Sequence, residues 1–129
     1  MAAPSRTFRV FCVDQGRSAR ISLHGELDRA TLATLGHELG ECDRRRVSVV
    51  VVDLSNLDFL DGAAFKLFLD YGRTLRHEGR HLSLVNPSIQ VRRILTVGAM
   101  VHSADVLDEW LDLLTGAHAG FPAGIAGPC

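Results

Sequence analysis

The chain has 129 residues, 47 % hydrophobic and 22 % charged, with a formal net charge of −1. That length suits one domain with a real core, and the composition is that of a globular protein. Acids and bases are interspersed, and no apolar run is long enough to cross a bilayer, so neither nucleic-acid binding nor direct membrane insertion is expected.

Residues 1–6 read as a loose terminus without an apolar secretory segment, and the expected location is the cytoplasm. Thr7–Val13 alternates as a strand does, Gln15-Gly16-Arg17 supplies a turn, and Ala19–His24 reads as a second strand. The two are expected to pair as a hairpin. Cys12, Cys42 and Cys129 are odd in number and follow no metal or redox spacing, which reads as free thiols of a reducing compartment. Cys12 alternates with Phe8 and Val10 and is expected in the core.

Asp28 reads as the N-cap of a first helix, with Leu27 and Leu32 at the spacing of a hydrophobic staple. Leu32, Leu35 and Leu39 carry that helix to an expected end near Gly40. Arg44-Arg45-Arg46, the only basic cluster, reads as a solvated connector. Val47–Leu54 is β-branched with almost no polar relief, the pattern of a strand buried on both faces. Ser55–Asp58 reads as a loop.

Asp61 repeats the capping pattern, with Leu60 before it and Phe65 as staple partners. Phe65, Phe68, Leu69, Gly72 and Leu75 share one face of the second helix, and Lys66, Asp70, Arg73 and His77 share the other. Gly79 is a typical residue after a helix end. His81–Val85 reads as a strand, and Ser88 as the cap of a third helix with Val91, Ile94 and Leu95 inward, ending at Gly98. A short edge strand around His102–Val106 and a last helix through Leu107, Trp110, Leu111 and Leu114 are expected. Residues 116–129 read as a disordered tail. The sum is an α/β domain over 7–115: a mixed sheet with an N-terminal hairpin, parallel crossovers and about four helices.

His77-Glu78-Gly79-Arg80-His81 matches the H-E-x-x-H zinc signature, but that chemistry needs both histidines on one helical face. Here Gly79 ends the helix between them, and no metal is expected. No nucleophile–base constellation and no phosphate loop is present, so neither catalysis nor a cofactor is expected. Asp53, Asp58 and Asp61 gather at the end of the central strand, where open α/β sheets bind ligands; their expected work is capping turns and a helix. What stands out is Gly62-Ala63-Ala64 at a helix mouth. Glycine costs about 1 kcal/mol against alanine in a helix interior and less at an end, so its presence there points to a contact surface for a partner ahead of the alternative, tight packing against a neighbouring loop.

Four pieces in order resemble the STAS domains, found in anti-sigma factor antagonists and in cytoplasmic parts of sulfate transporters. They are Gly25-Glu26-Leu27-Asp28, Val49–Ser55 with its Asp53-Leu54-Ser55 ending, Phe59-Leu60-Asp61, and Gly79–Ser88 followed by Val91-Arg92-Arg93-Ile94-Leu95. The resemblance implies a non-enzymatic protein-interaction module of partner switching, whose partner is an anti-sigma factor kinase of ATPase fold. It implies a partner-binding surface of Asp28, Asp58, Asp61, Gly62, Ala63, Ala64 and Lys66. In antagonist members the equivalent of Asp61 is followed by Ser-Ser-Gly or Ser-Thr-Gly, and the first serine is the residue that the kinase phosphorylates. Here it is Gly62, a degenerate phosphoacceptor position, and the only hydroxyl between Leu57 and Arg73 is the phenol of Tyr71. The resemblance also allows a scaffold or accessory subunit of a lipid transporter or multi-protein sensor, and it leaves a homodimer open.

Overall fold

The computed structural model describes residues 8–102. Its elements run β1 (Arg9–Gln15), β2 (Ser18–Leu27), α1 (Leu32–Arg44), β3 (Val49–Leu60), α2 (Gly62–His77), β4 (His81–Val85) and α3 (Ile89–His102). The sheet order is β1-β2-β3-β4. β1 and β2 form the expected antiparallel hairpin, with Gln15 opposite Ser18 and Gly16 at φ 79°. β2–β3 and β3–β4 are parallel, so α1 and α2 are the crossovers.

The core lies on one face of the sheet. Ala19, Ile21 and Leu23, Val50 and Val52, and Leu82 and Leu84 alternate onto it and meet Leu35 and Leu39 of α1, Phe65, Phe68 and Leu75 of α2, and Val91 and Leu95 of α3. Val49 and Val51 point the other way, outside that cluster, and are also buried. The apolar run of β3 is thus buried on both faces, as its sequence predicts.

Several boundaries differ from expectation. α1 does not end at Gly40. It runs to Arg44 and closes where Val47 N–H donates to Cys42 O (3.3 Å) and Arg46 N–H to Asp43 O (3.1 Å), with Arg46 itself at φ 55°. This is the closure usually given to glycine, made here by an arginine. The three arginines of that segment have separate structural roles: Arg44 pairs with Glu41, Arg45 with Asp14, and Arg46 turns the chain. α2 ends as read, with Gly79 at φ 72° and Arg80 N–H reaching back to Leu75 O (2.8 Å). α3 passes through Gly98 to His102, which excludes His102 from an edge strand. There are three helices among the described residues; the helix expected over 107–114, residues 103–106 and both expected termini lie outside them.

β3 continues to Leu60 through the segment read as a loop. Two register shifts against β2, between Ser22 and His24 and between Gly25 and Glu26, each insert a residue into β3. Leu54, Leu57 and Leu60 are therefore the buried residues, at a spacing of three, with exposed pairs between them. A residue count of two, the strand signature, is lost there.

Candidate protein-binding site

β3 delivers Leu60 and Asp61 to the start of α2. Asp61 has extended backbone (φ −101°, ψ −177°), and its Oδ1 accepts a hydrogen bond from Ala64 N–H (2.9 Å), the expected N-cap. Leu60 and Phe65 are both buried beneath it, closing the staple. Oδ2 of Asp61 accepts from Arg29 N–H (3.1 Å), and Asp61 N–H donates to Leu27 O (3.1 Å). The β2–α1 loop and the mouth of α2 are thereby joined.

Asp28 organises that loop but is not the N-cap of α1, which is Thr31. Its Oδ1 accepts from Ala30 N–H (3.0 Å), Thr31 N–H (3.1 Å) and the Thr31 hydroxyl (3.1 Å). The helix starts one turn later than the expected Asp28 cap because aspartate followed by helical spacing serves a turn as well as a helix.

The three small residues are not equivalent. Ala64 is fully buried and cannot touch a partner, contrary to the expectation; Ala63 is half-buried; Gly62 is exposed. A β-carbon built on Gly62 meets nothing within 4 Å, and its φ is not in the left-handed region. Neither packing nor backbone conformation therefore requires glycine at this position. Asp58 is exposed on β3, and Lys66, one turn into α2, pairs with Asp70 (3.0 Å) on the solvent side.

Beside Gly62 a groove of about 410 Å³ separates α2 from α3. Leu60, Gly62 and Phe65 line one side, and Ile94, Val97 and Gly98 the other. At Gly98 α3 passes beside the Phe65 ring, which a β-carbon there would meet at 3.4 Å, an ordinary van der Waals contact. The α3 residues were not read as part of the site, although Val91, Ile94 and Gly98 sit at i, i+3 and i+7 and so share a face. Ser88 caps α3 by accepting from Val91 N–H (3.1 Å).

Asp53 stands apart from Asp58 and Asp61. Burial works against its charge, but hydrogen bonds from the Ser55 backbone and side chain and the Arg20 guanidinium (2.9 Å) outweigh it, so the carboxyl is held below its usual value. The zinc-like motif is divided between elements: His77 ends α2 and His81 opens β4. Among the described residues no helix is long and apolar enough to cross a membrane.

Comparison with known proteins bears on the family and the fold. The family described as "Mlab, STAS domain" matches residues 11–111. A curated anti-sigma F factor antagonist of Paenibacillus polymyxa is 24 % identical over 96 residues, covering 74 % of this chain and 82 % of that protein. The solved anti-sigma factor antagonist SpoIIAA, in its unphosphorylated form, superposes with a TM-score of 0.62 at 22 % identity, covering 81 % of this chain and 84 % of its own. An anti-sigma factor antagonist from Mycobacterium paratuberculosis gives 0.62 at 18 % identity, covering 88 % and 98 %. With more than three quarters of its residues inside the match, the chain belongs to the STAS domain family.

Proposed function

We propose that this STAS domain is a non-enzymatic, cytoplasmic partner-switching module that binds an anti-sigma factor kinase of ATPase fold and cannot be switched off at position 62. The observation that carries the reading is the open space around Gly62. A serine would fit there, so a hydroxyl is missing without a steric reason. Phosphorylation adds about −1.5 to −2 charges and a bulky group to whatever surface bears it. Gly62 keeps this surface small, neutral and continuous with the groove toward α3. Asp28 and Asp61 shape the surface through their backbone hydrogen bonds, and Asp58, Ala63 and Lys66 flank it.

The test is a pull-down from native lysate with two baits, wild type and Gly62→Glu, and identification of the retained proteins by mass spectrometry. An ATPase-fold kinase held by the first and lost by the second supports the reading. The same transporter or sensor component on both baits, or no kinase on either, refutes it and favours an accessory-subunit role.

A further inference from the structure

β1 is the end strand of the sheet, and among the described residues no strand pairs with its outer edge. Exposed edges are usually blunted by proline, lysine or a bulge. β1 has none of these. Its residues Arg9–Gln15 include neither proline nor lysine and match β2 one for one, from Arg9 opposite His24 to Gln15 opposite Ser18. Val10 and Cys12 pack against the core, whereas Phe11 and Val13 are each 50 % exposed. Phe11 stands edge-on to His24, with ring centroids 5.0 Å apart, and the Arg9 guanidinium lies 5.8 Å from its centroid. The turn determines which backbone groups the edge presents. Gly16-Arg17 is a two-residue hairpin loop, which makes Gln15 and Ser18 a hydrogen-bonded pair. Such pairs alternate along an antiparallel ladder, so Val13, Phe11 and Arg9 also bond to β2. Val10, Cys12 and Asp14 therefore turn their N–H and C=O groups outward.

We propose that β1 pairs antiparallel with β1 of a second copy of this chain, about a two-fold axis at Cys12, and joins the two sheets into one. The strand is self-complementary in that register, as a two-fold interface requires. Phe11 lies opposite Val13 of the second copy and Val13 opposite its Phe11, so the exposed apolar side chains form one stripe across the junction. Aromatic and β-branched residues are favoured cross-strand partners. Arg9 lies opposite Gln15 and Val10 opposite Asp14, so no like charges meet directly. The outward groups of Val10, Cys12 and Asp14 meet those of Asp14, Cys12 and Val10, and each pair exchanges two hydrogen bonds. Only this register pairs the whole strand. A shift of two residues leaves its ends unpaired and sets Val13 against Arg9, or Phe11 against Gln15. The edge shares no residue with the groove beside Gly62, so the proposal stands apart from the kinase reading.

The test is sedimentation velocity of the full chain under reducing conditions over a concentration series, with residue-resolved amide exchange at both ends of the series. The expected result is a monomer–dimer equilibrium. Exchange protection of the Val10, Cys12 and Asp14 amides should appear only at high concentration, whereas the Phe11 and Val13 amides should be protected throughout. A mixture of isotope-labelled and unlabelled chains should show a nuclear Overhauser contact between the Phe11 ring of one copy and the Val13 methyls of the other. Val13→Lys, at an exposed position, should fold normally and weaken the dimer about tenfold or more. A monomer at every concentration, a dimer indifferent to Val13→Lys, or outward amides already protected in the dilute monomer would each overturn the proposal.

Discussion

The Asp61 carboxylate accepts a hydrogen bond from the backbone amide of Arg29, 3.1 Å away and 32 positions earlier in the chain. Its second oxygen holds Ala64 at the start of α2. One side chain therefore fixes two segments of the proposed contact surface relative to each other. Losing the cap costs about 1 kcal/mol, and losing a charged hydrogen bond about 1.5 kcal/mol or more. Asp61→Ala should lower the unfolding free energy by roughly 2–3 kcal/mol in urea titration, and Asp61→Asn by less. A cost near zero for Asp61→Ala would mean that the aspartate is held for a partner alone.

Gly62 makes the opposite prediction. Nothing surrounds its missing β-carbon, so Gly62→Ala should leave stability unchanged or raise it by up to about 1 kcal/mol. Gly62→Ser should fold equally well and, if the proposed kinase partner is the right one, acquire a phosphate from it, visible as a mass shift, with weakened binding after modification. Destabilisation of Gly62→Ala beyond experimental error would show that the open space is wrong.

The legibility of the fold followed its periodicities. The α2 face, the staple at Leu60 and Phe65, and the closure at Gly79 were readable because each uses the residue that its geometry prefers. The end of β3 was not, because two inserted residues turn a spacing of two into Leu54, Leu57 and Leu60, which resembles neither strand nor helix. The end of α1 was misplaced because Gly40 resembles a terminator and Arg46 does not. Half of the groove was hidden for the same reason: Gly98 reads as a stop, yet α3 runs on through it beside Phe65. The mouth of α2 was legible from composition alone, but only coordinates separate exposed Gly62 from buried Ala64.

Arg46 gives a test of that misreading. A side chain at φ 55° pays a steric penalty of about 1 kcal/mol that glycine avoids. Arg46→Gly should raise the urea midpoint, offset in part by the freer unfolded chain. A net gain of about 0.5 kcal/mol is expected; a loss would show that the arginine side chain contributes contacts that outweigh the strain.

Asp53 should shape the acid limb of stability. Its pKa is lower in the folded protein than its ordinary value of 3.8, so the unfolded chain binds its proton first. The stabilisation is complete above that ordinary value and disappears as pH falls through the folded one. Asp53→Asn should therefore flatten the loss of melting temperature below about pH 4. An unchanged acid limb in this variant would remove the Arg20–Asp53 pair from the account.

Arg80 lies within the stretch that imitates a zinc site, and its role there is structural. It is 6 % exposed, and its guanidinium donates to Val47 O (2.8 Å), Glu78 Oε1 (2.7 Å) and Asp43 Oδ1 (2.9 Å). The α2 closure at Gly79 turns it inward, and Asp43 also accepts from the Tyr71 hydroxyl (3.0 Å). Both carboxylates are partly exposed, so screening leaves each ion pair worth little. The larger loss on truncation is the buried Val47 carbonyl left without a donor. Arg80→Ala should cost about 3 kcal/mol. Arg80→Lys should recover little of it, because an ammonium cannot span the three acceptors that the planar fork reaches. A double-mutant cycle with Asp43→Asn should return a coupling below about 1 kcal/mol. Coupling well above that would place the stabilisation in the ion pair, not in the carbonyl.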